Sequence, residues 1–215
     1  MKKVTITVVF SFFAFCLKAQ TTTQASPLEL NVYGGYNFRD KVELYDTYAY
    51  VNEGFQYGGG LEYFFDRISS LELKYLRMDA TVPLYKYGGN SQPVNPDNDK
   101  ASINYILVDG NYYWDPGNAK ALPFTSAGIG VGIIDAKNGS SVTKFAWDLK
   151  LGVKVKTASS VSFKLQAYLQ SIVGGYGGGF YAGTGGVIVG TSYSYVSVIQ
   201  FGLGGALCFG FKSKK

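Results

Sequence analysis

Polar and apolar residues alternate with a period of two along most of this chain. Between Phe55 and Phe65 the odd positions carry Phe55, Tyr57, Gly59, Leu61, Tyr63 and Phe65, and Gln56 and Glu62 lie between them. From Phe145 to Val155 the apolar set is Phe145, Trp147, Leu149, Leu151, Val153 and Val155, interleaved with Ala146, Asp148, Lys150, Gly152 and Lys154. Val161, Phe163, Leu165, Ala167 and Leu169 alternate in the same way with Ser162, Lys164, Gln166 and Tyr168. A strand sends successive side chains to opposite faces, whereas a helix would scatter such a pattern around its circumference. The pattern predicts eight strands, near 28–38, 55–65, 70–80, 102–114, 122–134, 144–155, 161–171 and 193–211. The third is the least regular, because Leu76, Arg77 and Met78 interrupt its alternation. A bulge there, or a water interface near Arg77, would account for the break.

Long and short connections alternate strictly between these strands. Asp66-Arg67, Asp115-Pro116-Gly117-Asn118 and Thr157-Ala158-Ser159 mark the tight turns. In an up-and-down meander this order puts all tight turns at one end and all long loops at the other. Outer-membrane barrels have that asymmetry, with short periplasmic turns and long external loops. No stretch beyond the N-terminal segment approaches 18 continuous apolar residues, so helical spans are excluded.

Eight strands could close a soluble lipocalin-like barrel, apolar inside, or a membrane barrel, apolar outside. Side-chain size favours the second. In the last strand the set Tyr195, Ile199, Phe201, Leu203, Leu207, Phe209 and Phe211 would overfill a narrow lumen but suits lipid. The opposite set is rich in Gly and Ala. Glu29, Glu62, Glu72, Lys74, Asp109, Asp148, Lys150 and Lys164 all fall on the face away from the apolar set. Both signs are present, so a paired interior network is expected, since an unpaired buried charge is costly. Glu62 and Lys74, on either side of a tight turn, are expected to pair. Such a barrel has room only for side chains, which predicts a plugged interior. Tyr36 and Phe38, Tyr63 and Phe65, and Tyr112 to Trp114 fall near strand ends, where interfacial girdles would lie.

Composition adds an export signal. Lys2 and Lys3 precede an apolar run from Val4 to Leu17, followed by Lys18-Ala19-Gln20. This reads as a signal peptide over residues 1–20, cleaved after Ala19 or Gln20, leaving 21–215 as one barrel domain. Its removal leaves 17 basic residues against 15 acidic ones, a net charge near +2 and no footprint for nucleic acid. The mature chain keeps only Cys208, so it has no internal disulfide.

The signal segment, the strand alternation and the terminal strand Phe201 to Phe211 together give the chain a known likeness. It resembles the small outer-membrane β-barrels of the OmpA-, OmpX- and OmpW-like group, often labelled porin-family proteins. The resemblance covers the mature chain. It implies an eight-stranded antiparallel up-and-down transmembrane β-barrel in the bacterial outer membrane, with outer-membrane lipid around it. It also implies that the barrel-assembly machinery reads an aromatic close to the end of the last strand. Phe209 and Phe211 match, followed by Lys212-Ser213-Lys214-Lys215.

Enzymes of this architecture, such as lipid A deacylases and outer-membrane proteases, depend on His, and this chain has none. His-assisted catalysis and His metal sites are thereby excluded, and no cofactor is implied. The interior carboxylates read as structural ion pairs rather than as an acid–base pair. Asp97-Asn98-Asp99 lacks the Gly and distal Glu of a calcium loop, and the glycine run 174–179 lacks the Lys of a phosphate loop. Candidate binding residues lie in the long loops instead: Tyr45, Tyr48 and Tyr50 in the first, Tyr176, Phe180 and Tyr181 in the last. These segments could equally extend the wall as further hairpin. The reading is a non-enzymatic outer-membrane barrel with a structural, adhesive or ligand-presenting role toward an external ligand or envelope partner. A narrow solute channel and a soluble lipocalin-like binder remain as alternatives.

Overall fold

The computed structural model describes residues 27–43, 47–88, 92–94, 99–116, 119–136, 141–157, 160–173, 179–183, 186–190 and 197–211. The signal segment lies outside them. The strands are β1 (Leu28–Asn37), β2 (Asp40–Glu43), β3 (Thr47–Val51), β4 (Gly54–Phe64), β5 (Ser69–Thr81), β6 (Leu84–Lys86) and β7 (Lys100–Tyr113). They continue with β8 (Ala121–Ala136), β9 (Ser141–Lys156), β10 (Val161–Val173), β11 (Gly179–Gly183), β12 (Gly186–Gly190) and β13 (Ser197–Gly210).

Eight of these close a barrel in the order β1-β13-β10-β9-β8-β7-β5-β4. Every neighbour is antiparallel, and β1 pairs with both β4 and β13, so the sheet has no free edge. The connections 65–68, 114–120 and 157–160 gather at one end of the barrel with Leu28 and Gly210, here the turn end. The opposite end, the loop end, carries the other elements. There β2, β3 and β6 form a separate three-stranded sheet, and β11 and β12 form a hairpin. The loop aromatics thus fall in part on added strands.

The alternation sorts the faces without ambiguity. In β5 the even positions Ser70, Glu72, Lys74, Leu76, Met78 and Ala80 are buried, while Leu71, Leu73 and Tyr75 are exposed. Leu151 and Leu165 are 64% and 66% exposed, on a wall where their neighbours Lys150 and Lys164 are 3% and 2% exposed. That inversion, charge inside and leucine outside, suits lipid and rules out the lipocalin-like alternative. Outward aromatics ring both ends. Tyr36, Phe38 and Phe201 meet near the loop end, and Tyr63–Phe65 and Tyr112–Trp114 contacts lie near the turn end. Tyr113, between the last two, points inward and is fully buried.

Two expectations are corrected. β5 has no bulge at Arg77: its register with β4 and β7 runs unbroken from Ser70 to Met78. Leu76 and Met78 break the polar pattern because the lumen itself turns apolar at that height. The β8–β9 connection shrinks to residues 137–140, because Asp135 pairs with Ser141 and both strands reach 16 residues. Long and short connections therefore do not alternate strictly. Spanning a bilayer takes only about 9–11 residues of tilted strand, so β8 and β9 stand proud of it.

Candidate functional site

The lumen is filled in layers. At the turn end Tyr113, Leu122 and Phe124 form an apolar cluster with Phe64. Above it Glu29 accepts from Lys154 at 2.5 Å. The Lys154 ammonium also sits 4.5 Å from the Phe64 ring centre. Next comes Glu62, which accepts from Ser70, Asn111, Tyr113 and Asn31 and forms an ion pair with Lys164 at 2.7 Å. Glu72, held by Asn31 at 2.8 Å and Tyr33 at 2.6 Å, lies 3.9 Å from the same lysine. The expected pair of Glu62 with Lys74 does not form. The four-residue turn 65–68 sets Glu62 opposite Glu72 and Lys74 opposite Gly60, so one carboxylate faces another and Lys164, from across the lumen, brings one positive charge to the pair.

Lys74 belongs to the layer above. It donates to Asp109 at 2.5 Å and to Asp148, and Lys150 donates to Asp109 and lies 3.8 Å from Asp148. All four are buried. The space comes from Gly128, where a Cβ would run into both carboxylates. Over this layer Gln56 donates to Gln170, and Gln170 and Tyr105 donate to Gln200. A cavity of about 10 Å³ remains beside Asp148, Gln166 and Tyr168, the room one water needs. Asp148 Oδ1, Gln166 Oε1 and Tyr168 OH make no hydrogen bond among the described residues, and a water held there would satisfy them. At the loop end Leu76, Met78, Ile103, Ile134 and Ile172 close the lumen with apolar surface, joined by Val51 of β3.

All eight of the charged residues expected inside are therefore in the lumen, Glu29 half-buried and the rest buried. Lys154 was missed, although it shares the parity of Asp148 and Lys150. The neutral donors Asn31, Tyr33, Asn111 and Tyr113 were missed for want of charge, and parity with Glu29 and Asp109 would have found them. Among the described residues the arrangement pairs charge with charge in layers across the lumen.

The loop end carries the second candidate. Ala49 and Val51 of β3 point into the lumen's apolar cluster, so Tyr48 and Tyr50 take the outer face. Tyr48 stacks on Tyr85 at 5.2 Å and meets Tyr50 and Tyr87 at 5.6 and 5.1 Å. The Arg39 guanidinium lies 3.7 Å over the Tyr50 ring, and the Lys41 ammonium 5.0 Å from that of Tyr48. Behind them Asp40 accepts from the backbone N–H groups of Lys41 and Ile199. Burial raises its pKa above the ordinary carboxylate value, and those two bonds oppose the rise. Tyr45 and Tyr176 lie outside the described residues. Phe180 and Tyr181 fall in β11, of which only the backbone is described.

A closed antiparallel barrel with lipid-facing leucines and a charge-filled, sealed lumen is a transmembrane β-barrel protein. The family model of the outer membrane protein beta-barrel domain matches residues 7–205. The chain belongs to that family, whose place is the bacterial outer membrane. Among solved structures it is similar to Neisserial surface protein A, with a TM-score of 0.57 and 14% identity over 88% of this chain and 100% of that one. OprG from Pseudomonas aeruginosa gives 0.51 and 13% over 89% and 100%. At such identities the likeness speaks for the fold alone. No curated protein matches the chain.

Proposed function

We propose that this chain is a non-enzymatic integral outer-membrane protein whose sealed barrel is a support and whose loop end is its working part. In this reading residues 1–20 direct export and are removed after Ala19 or Gln20. The assembly machinery reads the last strand with Phe209 and Phe211. The turns then face the periplasm, and the loop end faces outward, where it meets an external ligand or envelope partner.

The observation that carries the reading is the closure of the lumen. Ion-paired layers lie between apolar layers at both ends, so a hydrated solute would have to displace paired charges and then cross dry surface. Breaking one buried pair costs about 3–5 kcal/mol, which weighs against the narrow channel. Half-buried aromatic and exposed cationic side chains occur instead on the β2–β3–β6 sheet and at its edge.

The test combines two measurements on protein extracted from outer-membrane fractions. The intact barrel is expected to migrate differently unheated and boiled on a detergent gel, because its closed hydrogen-bond network survives the detergent. In planar bilayers it is expected to conduct no ions. Steady single-channel conductance would overturn the sealed-support reading in favour of the channel.

A further inference from the structure

We propose that the outer face of the β2–β3–β6 sheet binds the phosphorylated sugar headgroup of an outer-leaflet glycolipid, through Arg39 and Lys41 held on a tyrosine platform. The inference rests on the orientation proposed above, with the loop end outward.

The position of the sheet comes first. It stands on the barrel wall as a continuation of it. The Phe38 N–H donates to the Phe201 carbonyl, the Asn52 N–H to that of Thr81 and the Tyr50 N–H to that of Pro83. These bonds tie the joins β1–β2, β3–β4 and β5–β6 to the rim. Because Ala49 and Val51 take the lumen side, the tyrosine side continues the outside of the barrel. Directly below it on that outside lie the exposed rings Tyr36, Phe38, Phe55 and Tyr57, placed as an interfacial girdle would be. The platform thus meets the membrane at headgroup height.

The chemistry of the face comes second. A contact with a ring face draws on the charge of a guanidinium and not on its N–H donors. The Arg39 guanidinium, 3.7 Å over the Tyr50 ring, is therefore positioned without consuming its donors, whose fork suits bidentate contact with a phosphate. Among the described residues Arg39 forms no ion pair. Lys41, one full strand period further on, brings a second cation to the same face over Tyr48. The rings of Tyr85 and Tyr87 extend the platform beside these cations with flat, hydroxyl-edged surface, which matches the apolar faces of sugar rings. Basic side chains next to a bilayer attract anionic headgroups. Phosphates carried on sugars, next to acyl chains that the girdle already contacts, satisfy all three features at once.

The test uses the full barrel in detergent micelles, with native mass spectrometry reading the bound glycolipid. The probes are a bisphosphorylated lipid A, its dephosphorylated form and soluble inositol hexakisphosphate. The bisphosphorylated form is expected to bind about tenfold or more tightly than the dephosphorylated one. The double variant Arg39→Gln, Lys41→Gln should lose that preference while keeping its heat-modifiable migration. Tyr50→Leu, which keeps both charges and removes the ring under Arg39, should lose part of it. Equal binding of the two glycolipids, or an unchanged preference in the double variant, would overturn the proposal. Hexakisphosphate binding as tightly as the glycolipid, with the same dependence on Arg39 and Lys41, would overturn the lipid assignment in favour of a soluble polyanion. Loss of heat-modifiable migration in the unaltered protein would instead strike the barrel reading beneath it.

Discussion

The lumen and the β2–β3–β6 platform hold charged and aromatic side chains in opposite ways. In the lumen, Lys74, Lys150 and Lys164 are buried in ion pairs with carboxylates. On the platform, Arg39 and Lys41 are exposed and rest on ring faces. Pairing in a low-dielectric interior makes a charge part of the architecture, because removing its partner strands it. Resting on a ring face orients a charge at the surface without burying it. The same residue types thus serve as filling in one region and as a presented surface in the other.

The largest effect is expected where a lumen charge is stranded. Lys164→Met leaves Glu62 and Glu72 directly opposed, and should cost about 3–5 kcal/mol in urea unfolding from micelles. A loss below about 1 kcal/mol would mean that the layer does not behave as a dry interior, and the contrast with the platform would collapse. Gly128→Val should cost less, about 1–3 kcal/mol, because it crowds Asp109 and Asp148 while leaving both their lysines in reach. Its readout is a lower temperature for the shift to the unfolded gel band.

Parity along each strand was enough to read the barrel and its inverted faces. What parity cannot supply is height and partner. Glu62 and Lys74 looked like a pair because they flank one turn, yet partners are set by the register of that turn and by closure of the sheet around the lumen. Closure is what brings Lys164, in β10, across to Glu62 in β4. Likewise Leu76-Arg77-Met78 suggested a bulge only because the apolar seal at the loop end had no signature of its own. The platform was half legible. Tyr48 and Tyr50 stood out as loop aromatics, but Arg39, Tyr85 and Tyr87 join them only through the pairing of β3 with β6 and the fold-back at β2. Pairing between short strands joined by polar loops leaves little trace in the sequence.

Val51 belongs to both regions, buried in the lumen seal from a strand of the platform. Val51→Asp places an unpaired carboxylate at that joint. The expected result is local: hydrogen exchange in residues 39–53 rises by at least about tenfold while the barrel still shifts on heating, because the sheet opens as its own unit. If exchange rises equally in β8 and β9, the two regions are one cooperative body and the comparison fails.

The smallest effect concerns Asp40, whose carboxylate ties the platform to β13 through the Ile199 N–H. Its pKa is raised by burial, against the pull of the Lys41 and Ile199 amides, so the folded form binds the proton more tightly than the unfolded form. Stability therefore increases as the pH falls through the folded pKa, and the charged form is the less favourable one at neutral pH. Asp40→Asn removes the charge and the titration and keeps one acceptor oxygen, enough to hold the Ile199 amide but not both amides at once. Exchange protection of the Ile199 amide, corrected for its intrinsic pH dependence, should rise on acidification in the unaltered protein and stay flat in the variant. A fall on acidification in the unaltered protein would mean that the ionised carboxylate is the form that holds the platform down. The tie would then be a charge-assisted one, of the same kind as the lumen pairs.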